Sequence, residues 1–139
     1  MTAINTDRGE VGLTLEGRVF PMLPTMAAVN AIESEIGSVY WLSQRIVLGA
    51  YFPTFREIAV VMAECIRAGA KDRGDKMLAK LSTDRIEEML YAEGLNDDNV
   101  VKPLIALLAN MCGGGAKKKA AADESPPPSA PTASSTESS

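Results

Sequence analysis

Histidine is absent from all 139 residues, which removes the commonest general base and the commonest metal ligand together. Cysteine is scarce, with Cys65 and Cys112 far apart in apolar stretches. A zinc site would need carboxylates for most of its shell, so both cysteines read as small reduced core side chains. No G-x-S-x-G, P-loop or G-x-G-x-x-G spacing occurs. Gly113-Gly114-Gly115 before Lys117 lacks the spacing, the preceding strand and the Ser/Thr helix of a phosphate loop. Asn96-Asp97-Asp98-Asn99 lacks the spaced acids of a calcium loop and reads as a helix cap. Glu33 and Glu35 lie two apart and point to different helix faces, so they are no acid/base pair. The expectation is a non-enzyme with no catalytic residue, metal or cofactor.

A basic excess is also missing. Lys and Arg number 14 against 18 Asp and Glu, a net charge of −4. The stretch from Ala116 balances three lysines with three acids, so the imbalance falls on the rest of the chain. Nucleic-acid affinity rests largely on neutralising phosphates, so no nucleic-acid partner is expected. No apolar run approaches the roughly 18 residues of a membrane helix. Residues 1–7 are polar without a secretory pattern. The sequence therefore predicts a soluble, cytoplasmic protein with no membrane partner.

What is present divides the chain in three: a disordered lead-in at 1–8, a folded helical domain at 9–112, and a disordered Gly/Ala/Pro/Ser-rich tail at 113–139. The tail has no aliphatic side chain larger than Ala and no aromatic, so it cannot offset its own ordering entropy. The fold class expected is α+β, mainly α: an N-terminal β-hairpin followed by a bundle of about five helices. Val11, Leu13 and Leu15 alternate with Gly12, Thr14 and Glu16 at a strand's period of two. Glu16-Gly17 supplies a tight turn into Arg18–Met22, where Pro21 requires an edge position.

Thr25 should cap a first helix carrying Met26, Val29, Ile32 and Ile36 inward, with Gly37 as its stop. Ser38 caps a second, with Val39, Leu42 and Ile46 inward, ending near Gly49. Thr54-Phe55-Arg56-Glu57 is a capping box opening a third helix, with Ile58, Val61, Met62, Cys65 and Ile66 inward and Gly69 as its end. A charged connection over 71–75 leads to a brief helix with Met77, Leu78 and Leu81. Ser82 or Thr83 then caps a helix that buries Ile86, Met89 and Leu90 and stops at Gly94. A last helix follows the Asn96–Asn99 caps, with Val101, Leu104, Ile105, Leu108 and Met111 inward. Pro103 fits there only if that helix starts close before it.

Tyr40-Trp41 and Tyr51-Phe52 bracket the second helix and hold four of the seven aromatics. The bland reading is that they fill the core beside the hairpin. The functional one is that they anchor a partner, since aromatics are enriched among interface hot spots. The methionines supply adaptable apolar surface or simply core.

Pro24-Thr25, Ile32-Glu33 four residues before Gly37, Arg45, Gly49 and Ala68-Gly69 together give a pattern. It resembles the phage tail assembly chaperone family of the gene-transfer-agent type, over roughly residues 8–111. The resemblance implies a scaffold that binds the tape-measure protein while a siphophage-type tail is built. It further implies absence from the finished particle. Contact with the tail tube protein and self-association as a homo-oligomer are separate expectations. Glu33 and Arg45, on adjacent helices, are candidates to pair with each other or with a partner. Members of the group are often made in two lengths by ribosomal slippage, which gives Lys117-Lys118-Lys119 a second reading beside that of a solvated charge cluster. The rival readings are a structural tail (tube) component and a small helical DNA-binding regulator. The second is opposed by the acidic charge.

Overall fold

The computed structural model describes residues 4–49 and 52–113. Its architecture is α+β and mainly α: one antiparallel strand pair, then five α-helices. Strands β1 (Val11–Leu15) and β2 (Arg18–Met22) pair in the register Leu13↔Phe20, with Leu15 opposite Arg18. Leu13, Leu15, Phe20 and Met22 form the buried face. Glu16 (φ 53°) and Gly17 (φ 74°) make the turn, both in the left-handed region that matches strand twist in a two-residue hairpin. The turn is held on the helical layer, where the Glu16 amide donates to Glu93 Oε1 at 3.3 Å and Arg85 stands 3.6 Å from the Glu16 carboxylate.

Helix α1 (Met26–Ile36) starts at Thr25, whose hydroxyl accepts from the Ala28 amide at 3.0 Å. Helix α2 (Val39–Leu48) starts at Ser38, which accepts from the Trp41 amide. Helix α3 (Phe55–Arg73) opens with the Thr54/Glu57 capping box. A short 3₁₀ turn (Leu78–Lys80) leads to α4 (Thr83–Glu93), capped by Ser82. Asn96 caps a wide π turn (Asp97–Val101) that runs directly into α5 (Lys102–Gly113).

Helix α3 is the centre. Ile58, Ala59, Val60, Val61, Met62 and Ala63 are buried in unbroken succession, so the helix is enclosed on every side rather than along one stripe. α1, α4, β2 and the 3₁₀ turn pack around it, while α2 packs on α5. The Leu23 amide donates to the Cys65 carbonyl at 2.9 Å, pinning the end of β2 to α3.

Several expectations are corrected. Gly69 does not end α3, which continues to Arg73 and closes in a Schellman motif, with Asp75 N–H to Ala70 O and Gly74 N–H to Lys71 O. Gly69 is instead buried mid-helix where the chain crosses over it. A Cβ there would lie 3.4 Å from Leu23 Cβ, 3.5 Å from Pro21 O and 3.1 Å from Arg73 Nη1. Met26 and Met77 are exposed, because α1 turns Ala28 and Ile32 inward and Leu78 alone fills the 3₁₀ turn. Cys112 is exposed on α5 rather than in the core; Cys65 is buried as expected, and burial pushes its thiol pKa up.

In α5 the inner face is Pro103, Leu104, Leu107 and Leu108, following Val100, with Ile105 half-exposed. The π turn, in which the Val101 amide reaches Asn96 O, sets a different rotation from the one expected. Pro103 sits in the first turn of α5, where its missing N–H is tolerated. Thr6–Arg8, expected within the frayed lead-in, form a 3₁₀ turn capped by Asn5, and Arg8 pairs with Asp72 of α3. Gly113 still belongs to α5; the tail over 114–139, with Lys117–Lys119, lies outside the described residues.

The close crossing predicts a graded response at Gly69. Gly69→Val should lower stability by about 1–3 kcal/mol, because branched methyls meet Leu23 and the Pro21 carbonyl. Gly69→Ala should stay within about 1 kcal/mol of the parent, since better helix propensity offsets a small shift of Arg73. Urea unfolding monitored by circular dichroism measures both.

Candidate functional site

The pattern residues fall at joints. Thr25 is the N-cap of α1, and Pro24 precedes it, half-buried. Ile32 is fully buried beneath α1. Glu33 Oε2 accepts from the Val39 amide at 3.0 Å while the Gly37 amide donates to the Glu33 carbonyl. One glutamate therefore fixes the bend between α1 and α2. Gly49 closes α2 by donating to the Arg45 and Ile46 carbonyls. Ala68 faces the groove between α1 and α3, and Gly69 lies at the crossing of β2.

Arg45 does not pair with Glu33. Its guanidinium makes a two-pronged bridge to Glu57 on α3, at 2.9 Å and 3.2 Å. Glu57 Oε1 also accepts from the Thr54 amide at 2.9 Å. The last turn of α2 is thereby tied to the first turn of α3, and both side chains are largely covered, at 17% and 21% exposure.

This anchorage determines what α2 shows to solvent. Val39 and Leu42 are buried, with Ile46 half-buried beside them. On the opposite side Tyr40, Trp41, Val47 and Leu48 are exposed at 63%, 57%, 73% and 68%. They fall at i, i+1, i+7 and i+8, one stripe about 12 Å long. Gln44 stands at its middle. The only charged side chain of α2 is Arg45, held against Glu57. The expectation that the aromatics fill the core is therefore overturned for Tyr40, Trp41 and Phe52, the last 45% exposed; Tyr51 lies outside the described residues. Val47 and Leu48 were missed, although their spacing from Tyr40 and Trp41 was the available signal.

Two open clefts lie elsewhere. One, of about 500 Å³, is walled by Phe55 and Tyr91, whose rings meet edge to face at 5.8 Å, and by Asp84, Glu87 and Glu88. Arg56 reaches across its rim to Asp84, Glu87 and Glu35, so much of that negative charge is internally matched. The other, of about 440 Å³, is floored by alanines of α1 and α3 and rimmed by Glu64, Arg67, Lys71 and Asp72. Arg67 is itself engaged by Glu64 and the Leu81 carbonyl. Among the described residues, no group of three or more His, Cys, Asp or Glu is placed to hold a metal ion. Nor is any helix among them long and apolar enough to cross a membrane.

The chain matches no protein-family model, no curated protein and no solved structure. The candidate surface therefore rests on its own geometry: a helix apolar on both sides, with one side uncovered.

The bridge beneath that surface gives a pH test. Hydrogen bonding from Arg45 holds the Glu57 carboxyl below its ordinary 4.5. A depressed carboxyl stabilises the fold above its unfolded value, and that contribution is lost as pH falls through the folded value. Glu57→Gln should cost about 1–2 kcal/mol at pH 7. The difference from the parent should shrink progressively below about pH 4.5. Thermal unfolding of both proteins between pH 7 and pH 3 measures it.

Proposed function

We propose that this protein is a tail assembly chaperone of the phage or gene-transfer-agent type. It covers apolar segments of a tape-measure protein until tube subunits polymerise around that protein. The observation that carries the reading is the uncharged aromatic and aliphatic stripe on the outer side of α2. Such a stripe fits an amphipathic helical segment, because helix-in-groove recognition uses apolar anchors at three- and four-residue steps. A long helical tape measure offers many such segments in series. Trp41 and Tyr40 supply large rigid contact area of the kind that dominates interface energetics. Each contact is small, so several copies occupy one long chain independently, and each can be displaced singly.

Release follows from the same chemistry. No charge pair has to be broken on the stripe, so a tube subunit competes with the chaperone through apolar burial alone. Of the nine pattern residues, Glu33, Gly37, Arg45 and Gly49 fix the two ends of α2, and the contact residues lie between them.

Co-expression with a long helical tape-measure-like protein tests the reading, with size-exclusion chromatography and mass detection. The long partner should become soluble only in the presence of this protein and co-elute with several copies. The double variant Trp41→Ser/Val47→Ser should weaken capture at least tenfold, with thermal stability almost unchanged, since exposed substitutions usually move stability by less than about 0.5 kcal/mol. Undiminished capture by that variant, or polymerisation of this protein alone into rings or tubes, would replace the chaperone reading.

A further inference from the structure

Resting on that reading, we propose that the α2 face closes on a second copy of this chain in the absence of a client. The occupant is an isologous, antiparallel α2–α2 pair. Three observations favour a second copy. The stripe is self-complementary about its own middle, with Tyr40 and Trp41 at one end, Val47 and Leu48 at the other, and Gln44 midway. A two-fold axis through Gln44 lays the aromatic end of each helix over the aliphatic end of the other. It also brings the two Gln44 amides together, where each can donate and accept.

The area suits a weak, exchanging pair. At the exposures of those four apolar residues, each copy offers at most roughly 500 Å², so a pair covers at most roughly 1,000 Å², the size of a transient interface. The electrostatics permit it as well. The chain carries a net charge of −4, which opposes approach of like copies in general. The stripe itself has no acid, and Arg45 beside it is neutralised by Glu57. This is the face on which two copies meet without placing like charges in contact.

A dimer of this kind is a storage form. It keeps Trp41 and its neighbours out of water until a client helix, carrying apolar anchors of its own, takes the place of the second copy. Client binding and self-association then exclude each other, and the free chaperone concentration sets how readily the face opens.

Sedimentation of the full chain between about 1 and 100 μM tests this, alongside fluorescence of Trp41, the single tryptophan. Monomer and dimer should exchange with a dissociation constant on the order of 10 μM. Trp41 emission should move to shorter wavelength with the same midpoint. Val47→Glu should leave the chain monomeric at every concentration with its helical circular dichroism intact, and Trp41→Ser should weaken the dimer at least tenfold. Tyr91→Ser, at an exposed aromatic on α4, should leave the dimer unaltered. A monomer throughout the range, or a dimer that survives both α2 variants, would overturn the proposal. A monomer that still captures the tape-measure-like protein through α2 would sink the dimer alone. A dimer of this form that never captures that protein would sink the chaperone reading and leave the dimer standing.

Discussion

Enclosure of the Ile58–Ala63 stretch of α3 is the constraint from which the rest of the structure follows. Six consecutive side chains from Ile58 to Ala63 are removed from water, and no single neighbouring helix can cover all sides of a cylinder. α1, α4, the 3₁₀ turn and β2 are therefore all committed to the same helix. The strand pair, marginal by itself in water, gains its stability by acting as one of these covers. Leu23 bonds into the α3 backbone, and the crossing at Gly69 is close enough that a side chain there would meet Pro21 and Leu23. α2 and α5 have no large share in that enclosure and form a second layer, α5 resting on β1 and the π turn. α2 leans on α5 and is fastened to the start of α3 through Arg45 and Glu57, which leaves its far side uncovered.

Elements whose signals are local were legible in the sequence. Thr25, Ser38, Thr54, Ser82 and Asn96 each cap the helix assigned to them, because a side-chain oxygen three residues before an amide needs no tertiary information to act. The alternation of Leu13 and Leu15 placed the hairpin for the same reason. What failed depended on distant parts of the chain. Gly69 looked like a stop because glycine commonly ends helices, whereas its role is set by a strand forty-odd residues earlier in sequence. The inner face of α5 was read correctly at Leu104 and Leu108 but not at Val101 and Ile105, because that helix is apolar on several sides and a π turn fixed the rotation. Arg45 was offered Glu33 or a partner because Glu33 is on the helix next to it in sequence, whereas its bridge goes to Glu57 on α3. Glu33 was already occupied by the Val39 amide.

The candidate surface was half legible. Tyr40 and Trp41 stood out as a pair, but a pair of aromatics in so small a domain reads equally as core. The deciding fact is that α2 has two apolar stripes and its neighbours, chiefly α5, bury only one of them. From Val39 to Leu48 the helix contains one charged residue, and a surface helix normally has a polar side. Its absence was visible as a sequence feature, and becomes informative only when the inner stripe of Val39 and Leu42 is seen to be fully used.

The pattern that resembles tail chaperones and the surface offered for binding are distinct sets of residues, and the difference has a physical basis. Caps, bends and crossings at Thr25, Glu33, Gly37, Arg45, Gly49 and Gly69 each depend on a specific side chain or on its absence, so few replacements preserve them. An apolar stripe requires only size and hydrophobicity, and many residues satisfy it. A fold of this kind can keep its joints fixed while its contact face changes with the client. The energetics suit reversible use. Burial of at most roughly 500 Å² per side at about 25 cal/mol per Å² is an upper bound. Association costs of about 4–15 kcal/mol offset much of it. What remains is weak for each contact, so copies are removable one at a time.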